Sequence, residues 1–166
     1  MRRNSRSRSK QLLDKTMNDK ALLNYLKNNQ WKEADQTTDH LMRQSSNDLL
    51  ILDELWTRFS DGHFGFSVQS RIWQEVGCLI ASPPNYNYRL GCESGDSDVE
   101  LEKAHRFAQR VGWMNDRGEW VRYENLDFSL NAPHGHLPLG DGRGIDSLVR
   151  RFSRILHERV GDLKTC

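Results

Sequence analysis

Two amphipathic helical patterns, separated by a glycine-containing turn, fill residues 47–77 and constrain the fold more than any other stretch of this sequence. The first pattern, "NDLLILDELWTRF" at 47–59, predicts a helix capped by Asn47, because its apolar residues recur at spacings of three and four. After "SDG", residues 67–76 predict a second helix that is capped by Ser67 and ended by Gly77. Each apolar stripe needs other helices to cover it, so we expect an all-α fold.

The same spacing predicts further helices on both sides of this pair. Residues 18–43 form two helices, the first capped by Asn18 or Asp19. The pair is similar to one tetratricopeptide-type unit, but no second copy follows, and a single unit cannot bury its own face. Residues 98–110, capped by Asp98, and residues 145–160 complete the set. Within the pair at 18–43, the second helix carries one apolar stripe, formed by Trp31, Ala34, Thr38 and Leu41.

Loop-forming residues are concentrated in two segments. Residues 78–98 are rich in proline, glycine, serine, asparagine and aspartate, so we interpret them as a loop insertion. Residues 111–144 are irregular, and the turn "NDRG" between Trp113 and Trp120 predicts one small hairpin. The expected organisation is a basic, disordered tail at 1–17 and one helical core domain at 18–166.

Charge divides the chain into a basic tail and a mildly acidic body. Residues 1–10 carry five basic residues and no acidic ones, which leaves 19 basic and 23 acidic residues in the remainder. The tail suggests a nucleic-acid contact, a remnant of a transit peptide or a short disordered extension. The acidic body favours the extension, so we expect no nucleic-acid partner. We also expect no membrane segment, because no window reaches the ~18 uncharged apolar residues of a membrane span.

Catalytic and metal-binding motifs are missing from the sequence. The three cysteines have no CxxC spacing, which argues against a disulfide framework and a zinc site and favours a reducing compartment. "HGH" at 134–136 offers two metal ligands without a third, and "GDGRG" at 140–144 follows no buried strand that would make it a phosphate cradle. We therefore expect no catalytic residue and no metal site.

Aromatic residues near arginines are abundant, and they suit either a core or a cleft for a flat, acid-bearing ligand. Burial of apolar faces stabilises such a ligand by roughly 25 cal/mol per Å², and guanidinium groups orient its carboxylates. For the tryptophans in helical stripes, the core is the better interpretation. Phe64 and Phe66 flank Gly65 in a turn, a place from which side chains reach clefts.

The stretch "NDLLILDELWTRFSDGHFGFSVQSRIW" at 47–73 resembles the signature of the genomes-uncoupled (GUN4-like) family. The family pattern S-x-G-x-F-G-F-S-V-Q matches from Ser60 to Gln69, and I-W follows at Ile72 and Trp73. Upstream "WKEAD" and downstream "VGW", "FSLNAP" and "GHLP" occur in the family order, so the resemblance covers about residues 20–140.

This resemblance implies a single all-helical domain shaped like a cupped hand, whose apolar palm takes protoporphyrin, magnesium protoporphyrin and sometimes bilins. It implies a non-catalytic regulator of magnesium chelatase in chlorophyll biosynthesis, with the large chelatase subunit as partner and no cofactor besides the bound porphyrin. The implied location is the plastid stroma or the cytoplasm of a cyanobacterium. Mapped by motif, the implied ligand-binding residues are Phe64, Phe66, Val68, Phe128, Leu137, Arg143, Arg150 and Arg151.

Three departures from the family pattern leave an alternative open. The connection from Met42 to Asp48 is short, which would open the cleft on one side, whereas the insertion at 78–98 is long and could replace that wall. The N-terminal helical domain of many relatives is not in the sequence, so we expect a stand-alone core domain. The alternative function is a divergent protein-interaction domain that has lost porphyrin binding.

Overall fold

The computed structural model describes residues 20–44, 49–77, 97–140 and 142–162. These residues contain helix α1 at 20–27, and then α2 (Trp31–Gln44), α3 (Leu49–Phe59), α4 (Phe66–Glu75), α5 (Ser97–Arg110), a short 3-10 helix (Tyr123–Asn125) and α6 (Ile145–Asp162). Within these ranges the only β-type pairing is one isolated antiparallel bridge between Met114 and Trp120. The all-α prediction is therefore confirmed. The tail, the caps predicted at Asn18, Asp19 and Asn47, and the insertion up to residue 96 lie outside the described residues.

Helix α4 is the centre of the packing, because it contacts α3, α5 and α6. On its α5 and α6 sides, three rings form a continuous cluster: Trp73 lies 5.2 Å from Phe107 and 5.7 Å from Phe152, and Phe107 lies 5.9 Å from Phe152. Their tilted and edge-on arrangements are the ones that aromatic quadrupoles favour. Burial of these large apolar surfaces holds the last two helices onto α4.

A second aromatic cluster joins α2 to α3 and to the turn that precedes α4. The Trp31 ring lies 5.9 Å from Trp56 and 5.4 Å from Phe64. The indole Nε1 of Trp56 donates a hydrogen bond to the Thr38 hydroxyl at 2.9 Å, so the polar atom of this buried ring has a partner. The predicted stripe of α2 is therefore part of the core, as the burial of Trp31, Ala34, Thr38 and Leu41 confirms.

Several predicted boundaries are corrected by the structure. Helix α4 begins at Phe66, so Ser67 lies inside it and is not its cap. Helix α5 begins at Ser97, so the predicted cap Asp98 and the last residues of the predicted insertion are helical. The predicted hairpin is reduced to the single bridge, although the "NDRG" turn forms as expected, with the Gly118 amide bonded to the Asn115 carbonyl at 3.0 Å.

Candidate functional site

The loop after residue 138 lies against α2 and the start of α4, where a buried carboxylate and a closely packed glycine hold it. Asp35, on α2, accepts hydrogen bonds from the Leu139 amide at 2.7 Å and from the Tyr123 hydroxyl at 3.0 Å. A Cβ atom at Gly140 would lie 2.9 Å from Met42 Sδ and 3.2 Å from Phe66 Cε1. The loop therefore passes over the C-terminal part of α2 and the start of α4. We call residues 139–151, from this loop to the second turn of α6, the arginine segment.

Arg151 is the innermost cation of the arginine segment. Its side chain is buried, and its Nη1 donates to the Leu139 carbonyl at 2.8 Å, while Nη2 donates to the Gly142 carbonyl. The guanidinium carbon lies 5.3 Å from the centre of the Phe66 ring, within the range of a cation–π contact. Arg151 therefore holds the loop onto α4 and α6 and does not extend into an open cleft.

Arg143 and Arg150 lie at the surface of the same segment. Arg143 Nη1 donates to the Val121 carbonyl at 2.7 Å, and its guanidinium carbon lies 5.3 Å from the centre of the Trp120 ring. Partial burial lowers the pKa of Arg143 below its ordinary value. The Trp120 side chain is 47% exposed. Arg150 is exposed and donates to the Ser147 hydroxyl at 3.3 Å. This arrangement places a half-exposed indole and two arginines at the surface of the protein.

The predicted apolar ligand-binding residues lie deeper in the protein than expected. Phe64, Phe66 and Leu137 are fully buried, and Val68 is 5% exposed, so the expected open cleft wall is not formed by these four side chains. The physical reason is local packing. The Phe64 ring lies edge-on against Trp31 and Trp56, the Phe66 ring lies beneath Arg151, and the Leu137 carbonyl accepts the Gly65 amide at 3.0 Å.

Phe128 is half-buried and lies apart from Phe64, Phe66, Val68 and Leu137. Its ring is 5.2 Å from the Tyr123 ring, and Lys32 Nζ lies 5.5 Å from its centre. Burial and the adjacent Asp35 carboxylate raise the pKa of the Tyr123 hydroxyl, so this phenol stays a hydrogen-bond donor. The structure thus brings Phe66 and Arg151 together, whereas Phe128 belongs to a neighbouring cluster.

The two histidines of "HGH" have different surroundings. His136 is buried, and its Nδ1 donates a hydrogen bond to the Val111 carbonyl at 2.6 Å. Burial lowers the pKa of His136. His134 is exposed, and its ring centre lies 4.1 Å from that of His63. In the described part of the chain, no group of three or more histidine, cysteine, aspartate or glutamate side chains could hold a metal ion.

A cleft of about 600 Å³ opens beside α4, and sequence reasoning did not identify it. Its lining comes from α4, from the end of α5 and from the loop that holds His134; the residues are Arg71, Ile72, Glu75, Arg110 and His134. None of the predicted ligand-binding residues lines it. The three segments that contribute these residues are far apart in the chain and share no motif, so no sequence signal could have grouped them.

The helices, the two aromatic clusters and the loop fixed across them define a class of all-α domain that is known from solved structures. The fold is similar to the ligand-free structure of GUN4 from Arabidopsis thaliana, with a TM-score of 0.55 and 25% identity over 80% of this chain and 91% of that one. It is also similar to GUN4 from Chlamydomonas reinhardtii, with a TM-score of 0.52 and 21% identity over 80% of this chain and 85% of that one.

The chain belongs to the GUN4-like family, whose model matches residues 43–153. It is 35% identical over 147 residues to the chloroplastic tetrapyrrole-binding protein of Arabidopsis thaliana, an alignment that covers 71% of this chain and 46% of the relative. It is also 34% identical over 89 residues to the ycf53 protein of Cyanidium caldarium, an alignment that covers 53% of this chain and 27% of the relative. The chain thus spans less than half the length of these curated relatives. No helix among the described residues is both long and apolar enough to cross a membrane.

Proposed function

We propose that this chain is a non-catalytic binding protein for a tetrapyrrole that bears carboxylates, such as protoporphyrin or magnesium protoporphyrin. The proposal rests on membership of the GUN4-like family and on the printed name of one relative, a tetrapyrrole-binding protein. The observation that supports a particular place in this structure is the contact between Trp120 and Arg143, of which Arg143 belongs to the arginine segment.

The pair suits the chemistry of a porphyrin. A half-exposed indole offers an apolar face on which a flat macrocycle can stack, and stacking removes that face from water. The Arg143 guanidinium beside the ring, with the exposed Arg150 further along the segment, supplies donors for propionate groups. Arg151 contributes indirectly, because it holds the loop that carries Arg143.

One observation favours a second candidate function, a protein-interaction domain that has kept the fold and lost the ligand. Phe64, Phe66 and Leu137 are fully buried, so these side chains supply no apolar palm without a rearrangement. In either case we propose, from the family alone, a role in regulating magnesium chelatase through its large subunit, in a plastid or a cyanobacterium.

A titration of the purified chain with protoporphyrin and with magnesium protoporphyrin tests the first function. We expect saturation at one ligand per chain. The shift of the porphyrin absorbance band monitors binding, so the readout does not depend on tryptophan. Loss of a stacked ring or of one charge-assisted contact, in Trp120→Ala or Arg143→Gln, should weaken binding about tenfold.

Arg58→Gln is the matched control, because Arg58 is an exposed arginine whose guanidinium carbon lies 6.0 Å from the Phe59 ring on α3. This variant should bind like the unmodified chain. Saturable binding that Trp120→Ala and Arg143→Gln leave unchanged would move the site away from the arginine segment. A lack of saturable binding to either porphyrin would favour the interaction domain.

A further inference from the structure

Arginine and histidine side chains lie together at the 600 Å³ cleft beside α4, which the arginine segment does not line. Arg71, Arg110 and His134 line this cleft, and His63 contacts His134 with 4.1 Å between ring centres. The cleft volume is within the range of small-molecule sites. Trp120, Arg143 and Arg150 do not line it, so the cleft is separate from the proposed tetrapyrrole surface.

The two histidines are held in place by the backbone around them. His63 Nε2 lies 2.7 Å from the Ala132 carbonyl, and the Gly135 amide donates to the His63 carbonyl at 2.9 Å. Gln69 Nε2, on α4, donates to the Gly135 carbonyl at 3.0 Å. A Cβ atom at Gly135 would lie only 2.9 Å from Ile72 Cδ1, so the loop touches α4 closely. The His63 ring and the backbone on both sides of His134 are thus held in place, with the His134 ring packed against His63.

Charge is unbalanced around this cleft. Glu75 is the acidic residue of its lining, and it pairs with Arg110, with 2.5 Å between Nη2 and Oε2. No carboxylate among the described residues forms an ion pair with Arg71. Desolvation, followed by the proximity of His63 and Arg71, lowers the pKa of His134. A negative ligand would offset this repulsion.

The charge also decides between an anion and a metal ion. A histidine whose Nε2 faces a carbonyl can present its other nitrogen to a metal, and His63 has that geometry. Two arginines and a second histidine close by oppose a divalent cation. They suit an oxyanion, because guanidinium forks bind phosphate oxygens in pairs and a histidine adds a further donor.

We propose that this cleft binds a phosphate group carried by a small organic molecule, with Arg71 and His134 as its direct donors and His63 as the positioning residue behind His134. The site is independent of the tetrapyrrole surface and can exist whether or not porphyrin binds. Arg110 takes part through its fixed pairing with Glu75, which places a second guanidinium at the rim.

Proton NMR of the histidine C2 signals in the full chain tests the proposal, with inorganic phosphate, a nucleoside monophosphate and chloride compared at equal ionic strength. Replacement of each histidine by glutamine assigns the signals. We expect both phosphates, and not chloride, to shift the His63 and His134 signals saturably and to raise the apparent pKa of His134. The monophosphate should bind more tightly than inorganic phosphate.

Arg71→Gln should weaken phosphate binding about tenfold, the loss of one charge-assisted contact. Arg117→Gln is the charge-matched control, because Arg117 is exposed on the "NDRG" turn outside the cleft. Equal losses in both variants, or identical shifts with phosphate and chloride, would overturn the site. Shifts produced by zinc and not by phosphate would overturn the anion assignment, and equal affinity for both phosphates would overturn the organic ligand.

Discussion

The buried Asp53 carboxylate on α3 accepts a hydrogen bond from the Ser67 amide, with 2.8 Å between Oδ1 and N. The amides at the start of a helix have no partner within it, and a side-chain oxygen commonly supplies one. Here that oxygen comes from another helix, because Gly65, at the N-cap position of α4, has no side chain. One carboxylate therefore fixes the start of the central helix relative to α3.

Asp53→Ala should lower the free energy of unfolding by about 2 kcal/mol, because it leaves a helix-start amide without its acceptor in a buried place. Asp53→Asn should cost less, since its amide oxygen can still accept the bond. Urea denaturation measures both values. Glu54→Ala, at the exposed neighbouring position, should stay within about 0.5 kcal/mol of the unmodified chain. Equal losses at the two positions would contradict the capping role.

Gly65→Ala should destabilise the fold by about 3 kcal/mol, from backbone strain and overpacking together. Gly65 has a φ of +132°, and an added Cβ would lie 2.6 Å from Thr57 Cγ2 and 3.0 Å from Asp53 Oδ1. Gly62 is the matched control, because it has a φ of +75° with no atom within 4 Å of such a Cβ. Gly62→Ala should cost only about 1 kcal/mol from backbone strain. Denaturation midpoints that rank the two variants in the opposite order would refute this packing.

Asp35 should make stability depend on pH. Burial raises its pKa from 3.8 to about 6, although its hydrogen bonds with the Leu139 amide and Tyr123 hydroxyl oppose the shift. The folded chain holds this proton more tightly than the unfolded chain, so the contribution of Asp35 is most favourable below pH 3.8 and declines as the pH rises to about 6.

Asp35→Asn removes this titration and keeps a carbonyl oxygen for the Leu139 amide. The stability of Asp35→Asn relative to the unmodified chain should therefore rise between pH 4 and pH 7, by up to about 3 kcal/mol for a shift of about two pKa units. Urea denaturation at several pH values measures this difference. A difference that does not change with pH would show that Asp35 has a similar pKa in the folded and unfolded chains.

Arg151→Met should cost about 3 kcal/mol, because the Leu139 and Gly142 carbonyls lose a charged donor in a buried place. Arg150→Met is the matched control, because Arg150 directly precedes Arg151 on α6 and its side chain is exposed. Its cost should be within about 0.5 kcal/mol. Thermal or urea denaturation compares the two. A larger loss at Arg150 would reverse the assignment of the structural arginine.

The helices of this protein were predictable from the sequence because they depend on local periodicity. Spacings of three and four residues place Trp31, Ala34, Thr38 and Leu41 on one face, and any all-α packing must bury such a face. These stripes predicted the all-α fold class. The turn at "NDRG" and the family signature at 47–73 are likewise local, and the signature identified the family. The helix start at Phe66 was missed because the oxygen that accepts its Ser67 amide comes from Asp53 on another helix.

Only the tertiary structure decided which residues are accessible. Phe64 and Arg151 each look suited to a ligand in the sequence, yet both are enclosed, because rings and carbonyls from other elements meet them there. His63 and His134 carry no shared motif, yet the fold brings their rings into contact. Periodicity determines which face of a helix is buried, whereas side chains in turns and loops take their surroundings from distant segments, which only the packed chain specifies.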